Sequence, residues 1–154
     1  MSAIETVKAF MTALEANDRK TAANYLSNDF AFIGWTPRPL NKDDFLTVMG
    51  GLKAGMPGLV FNLHDLREES NAIVGTITVY GSIQVVGHQT NAFNLPPLSL
   101  PPIPQMDGNV SLPTEQVEYR IENNQIVRWS VQRIQGGGIE GMLHQFGVES
   151  PIIQ

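Results

Sequence analysis

The residues with most chemical potential in this chain are few. His64, His88 and His144 are its histidines, and it has no cysteine. Without a thiol, neither a disulfide framework nor a thiolate metal site can form. The histidines are far apart, and no His-x-x-x-His or Glu-containing ligand pair accompanies them. No metal and no cofactor is therefore expected. His88 sits beside Gly87 at the end of a strand-like stretch and leads into a proline-rich segment. A neutral imidazole can act as acid or base near pH 7; the plainer role is a strand-end side chain bonded to backbone. Arg133 continues the alternation of Val127, Trp129 and Val131, so it should point to their side of the strand. A cation on an apolar face requires a partner or water. A ligand carboxylate is one such partner, and solvent at the strand end is the alternative. Trp35, Tyr80, Tyr119 and Trp129 are the aromatics expected to line an interior. Pockets for flat organic ligands are mostly apolar with a few placed polar groups, although such residues also serve as ordinary core. His64 and Asp65 are neighbours on a strand, face opposite sides and cannot form a simple dyad. Gly136-Gly137-Gly138 lacks the Lys-Ser/Thr of a phosphate loop and reads as a hinge.

The composition narrows the partners. Ten basic residues are scattered among fifteen acidic ones, for a net charge of −5 and a pI near 5.1. Nucleic acid, which needs clustered Lys and Arg, is not expected. Only 16% of residues are charged, below the usual quarter, which leaves surface for self-association. Glu5 and Lys8 interrupt the apolar stretch of residues 1–14, unlike a signal peptide. No run approaches the roughly 20 apolar residues that span a bilayer. A cytoplasmic protein without membrane partners is expected.

These residues must be positioned by a succession of short elements. Ser2-Ala3-Ile4-Glu5 has the form of a capping box. Behind it, Ile4, Val7, Phe10, Met11 and Leu14 recur at helical spacing. Asn17-Asp18 ends this helix and caps a second one reaching about Leu26. A short strand is expected from Phe30 to Trp35. Asn41 caps a third helix with Phe45, Val48, Met49 and Leu52 as its stripe, stopped by Gly55 and Pro57-Gly58. A strand from about Leu59 to Arg67, a Glu-Glu-Ser-Asn turn and a long strand from Ala72 to about Val86 should follow. Val117, Tyr119 and Ile121 alternate with Gln116, Glu118, Arg120 and Glu122. Asn123-Asn124 suits a tight hairpin turn into a partner strand over residues 126–134. Ile139, Met142, Leu143 and Phe146 mark a closing helix with Gly147 as its stop. Helices gathered beside an antiparallel meander define an α+β domain, here one domain over residues 1–154.

Residues 96–113 hold six of the ten prolines. Proline is excluded from central strands, so a loop at about 88–113 is inserted between two strands. Leu95, Leu98, Leu100 and Ile103 make it too apolar for a solvated linker. Leaving them in water would forgo roughly 1.5–3 kcal/mol each. The loop should pack down on its own sheet, over a pocket mouth or against another subunit.

The element order resembles the nuclear transport factor 2-like superfamily, the cone-shaped, cystatin-like fold shared by ketosteroid isomerase and SnoaL-like polyketide cyclases. Phe10-Met11-Thr12-Ala13-Leu14-Glu15-Ala16-Asn17-Asp18 resembles its aromatic-x-x-Ala-Leu-x-Ala-Gly/Asn-Asp signature. The hairpin from Glu118 to Trp129, Gly87-His88, and the stretch from Met142 to Gly147 are similar to its later motifs. The resemblance implies helices packed on a curved, mostly antiparallel sheet, and a homodimer formed across that sheet. It also lets the chemistry be checked by position. The isomerase base, Tyr and Asp fall on Trp35, Phe10 and Val117, so that chemistry is lost. His88 matches the cyclase His, but Trp129-Ser130-Val131-Gln132-Arg133 holds no carboxylate.

Two functions remain open on these grounds. One is a pocket for an apolar or aromatic small molecule lined by Trp35, Tyr80, Tyr119 and Trp129. Any catalysis there would be cofactor-independent isomerase, cyclase or lyase chemistry carried by His88 and Arg133, without the usual carboxylate. The other is a non-enzymatic, dimeric ligand-binding or protein-interaction module.

Overall fold

A computed structural model describes residues 1–148. Helices α1 (Ala3–Glu15) and α2 (Arg19–Asn24) come first, followed by β1 (Leu26–Ile33), the two-residue β2 (Leu40–Asn41) and α3 (Lys42–Gly55). Then come β3 (His64–Asn71), β4 (Thr76–Ile83), β5 (Val86–His88), β6 (Asn109–Ser111), β7 (Glu115–Glu122), β8 (Gln125–Val131) and α4 (Gly138–Gln145). The caps form where the side chains allow. Ser2 and Glu5 bond reciprocally at 3.1 Å, Asp18 accepts from the Thr21 N–H and Asn41 from the Asp44 N–H. Among the described residues no helix is long and apolar enough to cross a membrane.

The sheet runs β2-β1-β8-β7-β4-β3, and β5 pairs separately with β6. It is antiparallel except where β1 lies parallel to β8. The expected α+β architecture is present, with several boundaries displaced. The first strand begins at Leu26 rather than Phe30 and ends at Ile33. The turn expected at residues 68–71 lies at 72–75, because the Asn71 Oδ1 accepts the N–H groups of Ile73 and Val74. Glu68, Glu69 and Ser70 therefore stay in β3, the sheet edge, where charge deters edge pairing. Residues 59–63 are largely irregular, touching the small sheet through the Val60–Val86 bridge. The long strand expected to reach Val86 ends at Ile83, and β5 leaves to pair with β6.

One face of the sheet makes the core. Phe32, Trp129, Tyr119 and Val79 lie opposite one another across β1, β8, β7 and β4. Phe10 from α1 and Phe45 from α3 meet the Trp129 ring edge-on at centroid distances of 6.0 and 5.8 Å. Such pairs add about 0.5–1.5 kcal/mol each beyond area burial.

The proline-rich loop packs onto helices rather than the sheet. Leu95 and Ile103 are buried, and Leu98 and Leu100 pack against the core. Phe93 and Ile103 exchange backbone hydrogen bonds of 3.0 and 2.9 Å. The loop lies so close to α3 that a Cβ at Gly51 or Gly55 would come within 2.2 Å of Asn94 or Phe93. Phe93 also meets Phe146, next to α4, at 6.2 Å. Gln89 fastens the loop. It is fully buried, donates to the carbonyls of Asn91 and Pro104, and accepts from the Met106 N–H.

Candidate functional site

The chain's most unusual polar group is Glu115, at the start of β7. Alternation along β7 turns Glu115, Val117, Tyr119 and Ile121 inward and Gln116, Glu118, Arg120 and Glu122 outward. Glu115 is thus a carboxylate on the apolar face, only 1% exposed. Its Oε2 accepts the Trp35 indole N–H at 2.9 Å. The Gly138 backbone N–H at the start of α4 is also directed at the carboxylate. Oε1 has no partner. Burial raises the Glu115 pKa to about 7, against the downward pull of Trp35 and Gly138. Near neutral pH this group is divided between acid and carboxylate, the condition for giving or taking a proton.

Trp35 is placed by the turn after β1. Gly34 enters it at φ +116, where a Cβ would lie 1.9 Å from the Val131 carbonyl oxygen, so no other residue fits. The Trp35 ring meets Phe32 at 5.8 Å and Phe61 at 6.4 Å. Arg133 ties the same turn, donating from its guanidinium to the Thr36 carbonyl.

The other expected site residues divide. Trp129 and Tyr119 are buried on central strands with their rings stacked at 5.3 Å and 19°. The Trp129 Nε1 has no partner among the described residues, and the Tyr119 hydroxyl donates to the Met11 sulfur at 3.3 Å. Tyr80 lies on the opposite face, because its cross-strand partners are Glu118 and Arg67 rather than the Tyr119 row. The Arg67 guanidinium covers its ring at 4.3 Å. Period two within β4 separates Tyr80 from Val79, and hence from the core. His88 is exposed at the end of β5, with Nδ1 2.7 Å from the Asn109 Oδ1. Arg133 is exposed and lies past the end of β8. Trp129 and Val131 keep the expected period and are buried, but β8 ends at Val131, so the alternation does not extend to Arg133. The structure thus joins Trp35, Tyr119 and Trp129 to one aromatic cluster and leaves His88 and Tyr80 outside it.

Glu115 is the group that sequence reasoning missed, and its signal was present. The inward series Val117, Tyr119, Ile121, carried back two residues, reaches Glu115. Lys53 is a second buried charge. It donates to the Pro57 and Leu59 carbonyls, and burial lowers its pKa while Glu15 partly opposes this. Its bonds give it a structural role in the turn after α3. Among the described residues no cluster of three His, Asp or Glu could hold a metal.

No curated protein matches the chain. Solved structures do. One is IdmH from Streptomyces antibioticus, a proposed polyketide cyclase: 15% identity over 96% of this chain and 100% of that one, TM-score 0.68. Another is AclR from Streptomyces galilaeus, a proposed hydroxylase: 14% identity, 94% of each chain, TM-score 0.67. A third is an uncharacterized cystatin-fold protein from Novosphingobium aromaticivorans: 18% identity over 86% of this chain and 99% of that one, TM-score 0.62. At these identities the likeness establishes the cystatin-like fold. The family model for the SnoaL-like domain matches residues 7–129, and the chain therefore belongs to the SnoaL-like family.

Proposed function

We propose that this chain binds a flat, largely apolar small molecule at the Trp35–Glu115 end of its aromatic core, and that Glu115 moves a proton there. The observation that carries the reading is the buried Glu115 carboxyl: one oxygen held by Trp35, the other unpartnered among the described residues, and a pKa of about 7. Such a group suits cofactor-independent isomerisation, cyclisation or elimination beside a carbonyl. Arg133, bonded to Thr36, is a positioning residue for the Trp35 turn. His88 is exposed and bonded to Asn109, so it is a separate candidate with its own test. The absence of cysteine accords with a reducing, cytoplasmic setting.

The test is a pH–rate profile of wild type and Glu115→Gln on a panel of enolisable ketones and aromatic polyketides. Wild type should show an inflection near pH 7 that Glu115→Gln abolishes along with most of the rate. Superimposable profiles would refute the assignment.

A second reading, a homodimer joined through the outer sheet face, also has an observation behind it. That face carries a groove of about 780 Å³ bordered by Arg67, Tyr80, Gln116, Glu118 and Gln132. Thr76 and Ser82 are nevertheless buried beside it. It displays both charge signs, with Arg120 and Arg128 beside Glu118. Sedimentation as a single 16.9 kDa species at micromolar concentration would sink this reading.

A further inference from the structure

Glu115 is buried, yet a groove lies close to it. Among the described residues, a groove of about 790 Å³ runs beside α4, bordered by Ile134, Gly136, Gly137, Glu140 and His144. Gly137 belongs to its wall and also touches the carboxyl, since a Cβ there would lie 2.8 Å from the Glu115 Oε2. The Gly138 N–H is directed at the same carboxyl. The Glu115 Oε1 has no partner among the described residues. The glycine joint is thus a thin partition between the groove and the carboxyl.

We infer that this partition is a gate: Gly136-Gly137-Gly138 and the first turn of α4 swing aside together and open the groove onto the Glu115 carboxyl. The inference rests on the Glu115 reading above and supplies the route by which water or a small molecule reaches that group.

The two ends of α4 are held unequally. Its N-cap is Gly137, which offers no side chain to the first N–H groups. Glu115, from another element, serves Gly138 instead. Gly136 and Gly138 stand at φ +82 and +66, which glycine adopts without steric cost. Three glycines in succession can absorb the backbone rotation of a hinge. The far end is anchored. The Gln145 side-chain amide exchanges two hydrogen bonds, of 2.8 and 2.9 Å, with the Ser111 backbone. Phe146 follows, against Phe93 at 6.2 Å. A helix fastened at its end and jointed at its start moves at its start. Ile139 in the first turn is buried, so the closed state prevails and opening is transient. Gly141 sets the closed position: a Cβ there would lie 2.1 Å from the Gly136 carbonyl oxygen. Any side chain at 141 therefore props α4 away from the joint.

Hydrogen exchange, followed by proton–nitrogen correlation spectra, reads the gate without any reaction. The Trp35 indole N–H is bonded to Glu115 and lies behind the joint, whereas the Tyr119 amide belongs to a central strand. In wild type, the Trp35 indole and the Gly138 amide should share one protection factor. It should lie at least about a hundredfold below that of the Tyr119 amide, as local opening does relative to unfolding. Gly141→Ala should lower the protection of Trp35 and Gly138 roughly tenfold further and leave Tyr119 unchanged. If Gly141→Ala does not fold, the wild-type comparison decides alone.

Protection of Trp35 and Gly138 equal to that of Tyr119, or unmoved in a folded Gly141→Ala, overturns the gate and leaves the Glu115 proton-transfer reading to its own test. A Trp35 indole that exchanges while Gly138 stays protected also overturns it, because the opening would then lie in the Trp35 turn. Superimposable pH–rate profiles of wild type and Glu115→Gln overturn the proton-transfer reading instead, whatever the exchange rates.

Discussion

Glu115 and Glu118 stand three residues apart on one strand and occupy opposite faces of the sheet. Glu118 is exposed beside Tyr80 and the arginines of the outer face. Glu115 is buried against the Trp35 indole, and its pKa is raised to about 7. The residue type is the same, and the pleat alone assigns the two carboxylates to different environments. The comparison teaches that in this chain the face of the strand, more than residue identity, decides which polar groups are candidates for chemistry. The aromatics obey the same rule, with Trp129 inside and Tyr80 outside.

The largest difference should appear when those aromatics are removed. Trp129→Ala takes away a ring in contact with Phe10, Phe32, Phe45, Phe61 and Tyr119. About 3–5 kcal/mol of stability should be lost, as for other aromatic-to-alanine changes in cores. Tyr80→Ala removes a half-buried ring and a cation–π contact worth about 0.5–1 kcal/mol. Urea unfolding of both variants measures the gap. Equal losses would mean that the outer face is also packed, as a tight dimer would make it.

The two glutamates should separate next, by pH. The folded pKa of Glu115, about 7, lies above its ordinary value of 4.5. Below about pH 4.5 the carboxyl is protonated in both folded and unfolded chains, and its contribution to stability is fully present. As pH rises toward and through 7, the unfolded chain ionises first and that contribution is lost. At 1.36 kcal/mol per pKa unit the loss is at most about 3 kcal/mol. Glu115→Gln should flatten the decline in unfolding free energy between about pH 4.5 and 7.5, while Glu118→Gln should leave it in place. A decline that persists in Glu115→Gln would show that another buried group titrates there.

Gln89 and Gln116 extend the comparison to amides. Gln89→Ala leaves the Asn91 and Pro104 carbonyls and the Met106 N–H without their partner. About 2 kcal/mol should be lost, and amide exchange should accelerate across residues 91–108. Gln116 is exposed, so Gln116→Ala should stay within about 0.5 kcal/mol of wild type.

The sequence carried the fold in its periodicities. The helical stripe from Ile4 to Leu14 and the alternation around Tyr119 are local signals, and both elements formed where these placed them. Caps were legible for the same reason, since Ser2, Asp18 and Asn41 act within three residues. The β3–β4 turn was misplaced because Glu-Glu-Ser-Asn and Asn-Ala-Ile-Val-Gly both permit a turn, and the sheet register chose between them. Arg133 does not follow Trp129 and Val131 inward because β8 ends at Val131, and Gln132-Arg133-Ile134 holds no Gly or Pro to mark that end. Tyr80 shares its residue type with the inward Tyr119, but the parity of β4 sets it on the face opposite Val79. The Trp35–Glu115 bond joins residues 80 positions apart and leaves no local trace. Its sole visible sign was the parity that turns Glu115 inward.

The smallest effect expected concerns His88, and it tests the comparison from the opposite direction. His88 is the residue whose type most suggests catalysis, yet its side chain is exposed and its bond to Asn109 links two strand-end residues of a small sheet. An exposed hydrogen bond of this kind contributes about 0.5 kcal/mol. His88→Ala should therefore shift the unfolding free energy by no more than that. On the proposal that Glu115 moves the proton, it should also leave the pH–rate profile unchanged. If His88→Ala lost a hundredfold or more in rate while Glu115→Gln lost little, burial would be the wrong guide to chemistry here. The imidazole would then have to reach a ligand from the rim of the small sheet, and the carboxylate would serve only to hold Trp35 and the start of α4 in place.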